Sequence, residues 1–377
     1  MGKVVYFGQA GLGGSERIIS PASNTLISYV TNAIAPMRNL LVLSSACSSK
    51  DKPCKETHEL SNGVAVTYLP LSMNKGASLL KRALTKHKNK KELYKGLLDA
   101  VQDGDTLIVY HSLSYIKELK ALRKKRKFTL ILQVCEIYSD VTEDKKSRKA
   151  EIDFIHTADK YIFSSQLLNS ELNTENKPYV ICMGTYKTAE QIVEPKQDGK
   201  THLVYAGTFN PIKGGVFSAI ACTEFLDENY HLHILGGGED MLVKSVIKEI
   251  ILASTKTACE ISYEGYLVGE EYKRLLQSCH IGLSTQDGSK AYSNTSFPSK
   301  ILVYMANGLR VVSGKIPAVT TSDIDGEMFY YEHQAPRMIA SAIKAATQVQ
   351  KTDSRMALKR LDAEFQKSIL SLIEEEK

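Results

Sequence analysis

Short apolar runs recur along the chain, and most are followed by a stretch whose apolar positions fall three or four residues apart. The first pattern is that of a buried strand and the second that of an amphipathic helix. In the first half, runs at 3–7, 40–44, 64–69, 106–110, 128–135, 161–163 and 179–182 predict strands. Helices are predicted at 14–33, where Ile18, Ile19, Leu26 and Ile27 share a face, and at 78–101, 113–125, 143–158 and 166–172. A strand that alternates with a helix implies a mostly parallel, doubly wound sheet.

Periodicity then lapses over Val193, Glu194, Pro195 and the polar residues up to Lys200, a predicted linker. The alternation restarts with strands at 202–206, 231–235, 260–262, 280–284 and 310–313. Helices are expected at 213–225, 240–253 and 269–276, after Pro298, and at 336–349 and 355–374. Two α/β domains result, one over 1–192 and a second over 193–350, followed by a terminal helical segment over 351–377. A length of 377 residues suits two such cores. Both halves open on a strand and a glycine-rich turn, so two Rossmann-like domains facing each other across a cleft are expected.

Composition narrows the class only a little. Hydrophobic content of 43% and charged content of 24% are those of a globular chain. No apolar run is long enough to cross a bilayer. The first residues enter a strand without a signal peptide's cleavage region, and the seven cysteines lack metal-ligand spacing. A cytoplasmic protein is expected. The net charge of +6 is concentrated at 81–95 and 117–127. Leu113, Ile116, Leu119 and Leu122 recur at helical spacing, so the basic residues around them take the other face. That face is either plainly solvated or held against anionic lipid, worth roughly 1 kcal/mol per basic residue near a bilayer. The charge lacks the interleaved aromatics that nucleic acid calls for.

The candidate chemistry lies in the turns. Gly11, Gly13 and Gly14 follow the first strand, but Glu16 stands where a dinucleotide fingerprint needs its third glycine, and the second strand ends on serines. The loop fits a phosphate, a sugar or a plain turn. In the second half, Gly207-Thr208 with Lys213, the Gly236-Gly237-Gly238 turn, Gly265-Tyr266-Leu267 and the segment Ser296-Phe297-Pro298-Ser299-Lys300 each follow a strand. That is the rim where doubly wound sheets bind ligands. A proline just inside a helix start leaves backbone N–H groups facing an anion, and Lys300 adds a full charge. Asp103-Gly104-Asp105 has the letters of a metal-binding tripeptide but precedes a strand, the place of a turn.

This order of loops resembles the retaining GT-B glycosyltransferases of the family-four (group 1) type, in their bacterial polysaccharide-synthesis branch. The resemblance spans nearly the whole chain, from the Gly13–Arg17 loop to the Ser296–Lys300 segment. It implies a metal-independent, retaining enzyme that moves a sugar from a nucleoside diphosphate to a hydroxyl of a glycan or lipid-linked glycan, with no cofactor beyond the donor. A site at the inner membrane face would follow. It makes Lys213 the contact to the donor diphosphate, with Lys300 and the backbone of Ser296 to Ser299 supporting it. Gly13, Gly14, Gly237 and Thr295 join the donor site, and Tyr266-Leu267 would read the nucleobase. His111 would bind the transferred sugar or polarise the reacting centre, and Glu136 would serve the acceptor hydroxyl as base or hydrogen-bond partner. Two positions depart from the pattern: Thr208 replaces an arginine and Val303 the ribose-binding glutamate. These departures leave open a scaffold that binds a glycan or a partner without catalysis.

Overall fold

The computed structural model describes residues 2–11, 17–37, 39–48, 53–59, 64–73, 78–142, 144–209, 215–288, 291–349 and 353–374. The chain forms two compact units, Met1–Thr185 with Glu364–Lys377 and Tyr186–Ala363.

The first unit carries strands β1 (Val4–Gly8), β2 (Arg17–Ile18), β3 (Leu40–Ser44), β4 (Cys47–Ser48), β5 (Glu56–Glu59), β6 (Ala65–Tyr68), β7 (Thr106–Tyr110), β8 (Thr129–Val134), β9 (Lys160–Phe163) and β10 (Tyr179–Ile181). Its helices are α1 (Pro21–Ile34), α2 (Leu79–Ala100), α3 (Ile116–Arg123), α4 (Tyr138–Val141), α5 (Lys145–Ile155) and α6 (Gln166–Leu172). Eight strands form one sheet in the order β10-β9-β8-β7-β1-β3-β6-β5, parallel except for β5 at the edge. The central strands are apolar on both faces because helices cover both. Val5 and Phe7, Leu107 and Val109, and Leu130 and Leu132 form one core with Leu97, Leu119 and Phe154.

The elements differ from the sequence reading in three places. The first helix begins at Pro21, not at residue 14: Ser20 is extended at the cap and proline takes the first turn. Arg17–Ile18 is instead extended and pairs antiparallel with Cys47–Ser48. The helix predicted over 143–158 is α5, whose start the side chain of Asp144 caps by accepting from the N–H groups of Lys146 and Ser147, but the short helix α4 just before it was not expected. Strand β5 was not expected, because its Glu-Thr-His-Glu sequence is polar and sits on an exposed edge.

The second unit carries β11 (Thr201–Ala206), β12 (Tyr230–Leu235), β13 (Glu260–Gly265), β14 (Ile281–Ser284), β15 (Arg310–Gly314) and β16 (Met328–Tyr331). They lie in the order β13-β12-β11-β14-β15-β16, all parallel. Helices α7 (Val216–Ala221), α8 (Asp240–Ser254), α9 (Gly269–Ser278), α10 (Lys300–Ala306), α11 (Pro317–Thr320) and α12 (Pro336–Gln348) connect them. The polar stretch after Val193 is no free linker. Ile192 N–H donates to Gln277 Oε1 at 2.8 Å and Lys196 N–H to the Ser278 carbonyl at 3.0 Å. The last helix, α13 (Arg355–Glu374), contributes its part from Glu364 onward to the first unit. There Phe365 stacks on Tyr29 at 5.3 Å, and the buried Lys160 Nζ donates to the Leu372 carbonyl at 2.6 Å, completing the helix's C-terminus.

Candidate donor and acceptor sites

Among its parallel strands each sheet reverses its strand order at one place, between β1 and β7 in the first unit and between β11 and β14 in the second. The carboxyl ends of those strand pairs are where an open α/β sheet leaves room for a ligand. The candidate residues gather at those ends.

In the second unit the rim is built from backbone. Gly207 N–H donates to the Leu235 carbonyl at 3.0 Å, Gly236 N–H to the Gly265 carbonyl at 2.9 Å, and Phe209 N–H to the Gly237 carbonyl at 2.7 Å. The three glycine turns thus tie side by side across β11, β12 and β13. Glycine is required at 236: its φ is 142°, and a Cβ would lie 1.9 Å from the Gly207 carbonyl oxygen. At Gly215, a Cβ would meet the Thr285 carbonyl oxygen at 2.1 Å. The chain after the β11 turn therefore lies directly on the end of β14, and Thr285 Oγ1 fixes it by donating to the Gly215 carbonyl at 2.8 Å.

Helix α10 brings a cation to this rim. Tyr304, wholly buried, accepts from Ala206 N–H through its hydroxyl at 2.9 Å, which anchors the helix to the end of β11. Lys300 is one turn earlier on the same face. Its Nζ stands 4.1 Å from the centre of the Tyr205 ring and beside Gly207, where a Cβ would be 3.3 Å from it. Glycine at 207 thus leaves the ammonium its place. Helix α10 starts later than the sequence implies: Pro298 precedes the cap at Ser299 instead of filling the first turn, and its carbonyl accepts from Ile301 N–H at 3.0 Å. The helix ends in a Schellman motif, with Gly308 at φ 79° and Leu309 N–H donating to the Tyr304 carbonyl at 3.1 Å.

Thr208 is exposed, Tyr266 is 69% exposed, and Leu267 is half-buried at the end of β13. The Tyr266 ring lies close to Gly237, near enough that a Cβ there would meet it at 3.6 Å. Thr295 is buried, Ser296 half-buried and Ser299 exposed in the segment leading to α10. The structure thus places Thr208, Gly237, Tyr266 and Lys300 on one rim. Lys213, Gly13 and Gly14 lie outside the described residues. Val303 is half-buried in the middle of α10 and supplies no charge.

In the first unit, His111 directly follows β7 and is 1% exposed. Its Nε2 lies 2.8 Å from Glu151 Oε1, a pairing the sequence did not signal because 40 residues separate them. Glu151 also accepts from the backbone N–H groups of Tyr138 and Ser139, each at 2.9 Å. Burial works to raise its carboxyl, but the hydrogen bonds from His111 and Ser139 outweigh that and hold it below the ordinary range. His111 Nδ1 is buried with no hydrogen-bond partner among the described residues. Glu136 sits half-buried just after β8, on the chain that Glu151 fixes through Tyr138 and Ser139. Arg17, at the far end of the glycine loop, faces inward instead of toward a ligand: it donates to the Leu69 carbonyl at 3.1 Å, pairs with Glu56 at 3.4 Å and lies over the Tyr68 ring. Asp103 and Asp105 are turn residues, as expected, and spend their carboxylates on the backbone N–H groups of Lys127, Lys3 and Gln102.

The first unit also holds a cavity of about 1030 Å³ between α2, α3 and the strand ends. Arg82, Lys86, Lys90 and Lys117 line it together with Ser45 and Tyr115, whose hydroxyls meet at 2.6 Å. Sequence reading took these cations for an outer helix face and missed that they surround a hollow.

Residues 200–348, within the second unit, match the model of the glycosyl transferases group 1. A search of curated proteins returns no match for the chain. Solved structures match it along nearly its whole length. A sucrose-phosphate synthase from Thermosynechococcus elongatus shares 13% identity over 98% of this chain and 97% of its own, with a TM-score of 0.73. A UDP-forming α,α-trehalose-phosphate synthase from Burkholderia xenovorans, in complex with glucose-6-phosphate, shares 10% over 99% and 98%, with a TM-score of 0.69. An Escherichia coli trehalose-6-phosphate protein bound with UDP-2-fluoro glucose shares 9% over 99% and 100%, with a TM-score of 0.67. The fold is GT-B, with two Rossmann-like units.

Proposed function

We propose that the chain is a retaining glycosyltransferase that moves a sugar from a nucleoside diphosphate to a hydroxyl of a glycan or lipid-linked glycan in cell-surface polysaccharide synthesis, without a metal ion. The observation that carries this is Lys300, an ammonium held beside Gly207 at the switch point of a group 1 glycosyl transferase domain. Sugar transfer leaves negative charge growing on the departing diphosphate, and a cation fixed in advance stabilises that charge without reorganising. Lys213 acts from the start of the segment after β11, and Ser296 to Ser299 offer further hydrogen bonds. Thr208 lies on the same rim, and Tyr266 provides an exposed ring on which a base can stack. The solved neighbours support a nucleotide-sugar donor, since one is UDP-forming and another was bound with UDP-2-fluoro glucose.

In the first unit His111 is too buried to touch a sugar, so it acts as a positioning residue. It holds Glu151, Glu151 holds the backbone of Tyr138 and Ser139, and that chain presents Glu136. Glu136 then serves the acceptor's hydroxyl as base or as hydrogen-bond partner. The basic cavity beside Ser45 and Tyr115 takes an anionic acceptor, such as a diphosphate-linked lipid sugar. The first turns of α2 add exposed Leu79, Leu80 and Leu84 next to Lys81 and Arg82, a surface suited to the interface of an anionic membrane. No helix among the described residues is long and apolar enough to cross a membrane.

Incubation with a panel of UDP, GDP, dTDP and CMP sugars tests this directly. At least one donor is expected to release its nucleotide slowly without acceptor and faster with a lipid-linked glycan. A scaffold that only binds releases none, and that outcome would return the reading to a glycan- or partner-binding protein.

A further inference from the structure

Away from the glycine rim, histidines of neighbouring strands meet inside the second unit. His202 on β11 and His231 and His233 on β12 are all buried, and the rings of His231 and His233 lie 3.9 Å apart. His202 Nδ1 stands 2.9 Å from His233 Nε2. The outer nitrogen of each ring is already engaged: His202 Nε2 lies 3.0 Å from both oxygens of Asp198, and His233 Nδ1 lies 2.7 Å from Glu264 Oε1. A carboxylate at neutral pH can only accept, so both outer nitrogens carry the protons. The two inner nitrogens then present lone pairs to each other at hydrogen-bond distance. Such a contact is repulsive unless a proton or a metal ion lies between them.

We propose that these three histidines bind one divalent transition-metal ion of the Zn²⁺ class, through His202 Nδ1, His233 Nε2 and a ring nitrogen of His231. Each of the three rings offers one nitrogen, and these lie within 4.8 Å of one another. Zinc takes imidazole nitrogen at about 2.0–2.1 Å, which separates two ligands of a tetrahedral ion by about 3.3 Å, so the 2.9 Å pair opens only slightly to admit it. Asp198 and Glu264 supply the outer carboxylates that orient metal-bound imidazoles and raise their basicity. Ser262 Oγ, 2.9 Å from His231 Nε2 and 2.5 Å from Glu264 Oε1, ties the third ring to the same arrangement. The ion would staple β11 to β12 and has no part in the transfer chemistry at the glycine rim.

Titration of the chelator-treated full-length chain with Co²⁺, read by the visible absorption of the bound ion, tests the site. One saturable equivalent that Zn²⁺ displaces is expected, and His202→Gln should remove it. Asp198→Asn alters a side chain that is 52% exposed and outside the ligand set, so the fold should survive while affinity falls 10–100-fold. The absence of a saturable equivalent in the unaltered chain, or unchanged affinity in Asp198→Asn, would overturn the proposal. Imidazole ¹⁵N spectra of the metal-free chain give a second readout: a doubly protonated His202 or His233 that ignores added Zn²⁺ means a shared proton holds the pair, and the metal proposal fails.

Discussion

Gly236 and Glu151 show how far single residues determine the two sites. Gly236 has the carbonyl of Gly207 against the position of its missing Cβ, 1.9 Å away, so the glycine turns can tie together only while that side chain is absent. Gly236→Ala is expected to destabilise the second unit by about 1–3 kcal/mol or more, because a backbone oxygen cannot yield as a flexible side chain can. Urea unfolding measures this, and an unchanged midpoint would mean the turns are looser than described. Glu151 lies on the acid side of its ordinary value. A carboxylate depressed on folding contributes stability that is fully present above its unfolded value, near 4.3, and is lost as the pH falls through the folded one. Glu151→Gln should therefore be less stable at pH 7, and its stability should fall less steeply below about pH 4.3 than that of the unaltered chain. Parallel profiles for the two proteins would show that His111 and the Tyr138–Ser139 backbone do not hold the charge.

At the scale of elements, the two ends of helix α2 differ. Its later turns bury Leu93 and Leu97 against the sheet, while its first turns leave Leu79 82% and Leu80 72% exposed. Apolar side chains at that exposure among lysines suit a membrane interface better than water. Replacing Leu79, Leu80 and Leu84 by serine should reduce binding to anionic vesicles at least tenfold in a flotation assay while leaving thermal stability unchanged. Vesicle binding that survives the triple change would assign the membrane contact elsewhere, and no binding by the unaltered chain would remove it. Elements with an unmixed pattern were legible in the sequence. Leu40–Ser44, Thr106–Tyr110, Gln166–Leu172 and Arg355–Glu374 fold where their apolar spacing placed them. Glu56–Glu59 was not legible, since an edge strand needs no apolar face. The helix predicted from residue 14 failed because Ile18 and Ile19 share the helical spacing of Leu26 and Ile27 yet belong to an extended segment before Pro21. The rim of the second unit was legible because glycine and lysine stand at strand ends in order. The Glu151 partner of His111 and the meeting of His202 with His233 were not, because tertiary folding alone brings them together.

For the whole molecule, the proposed reading seats the nucleotide sugar in the second unit, where residues 200–348 match the group 1 glycosyl transferase model. The missing charges at Thr208 and Val303 put more of the binding on the remaining cations. Losing a hydrogen bond to a charged group costs roughly 1.5–3 kcal/mol, a tenfold to hundredfold change in affinity. Nucleoside diphosphates from UDP, GDP, dTDP and CDP should therefore bind weakly but measurably, and Lys213→Ala and Lys300→Ala should each weaken the preferred one.

The most direct measurement is calorimetric titration of the preferred nucleoside diphosphate into the unaltered chain and into Lys300→Ala. A loss of at least tenfold in affinity, with no change in melting temperature in the absence of nucleotide, is the result expected of an ammonium that faces a pyrophosphate at Gly207. Equal affinity in the two proteins would contradict it and detach α10 from the donor.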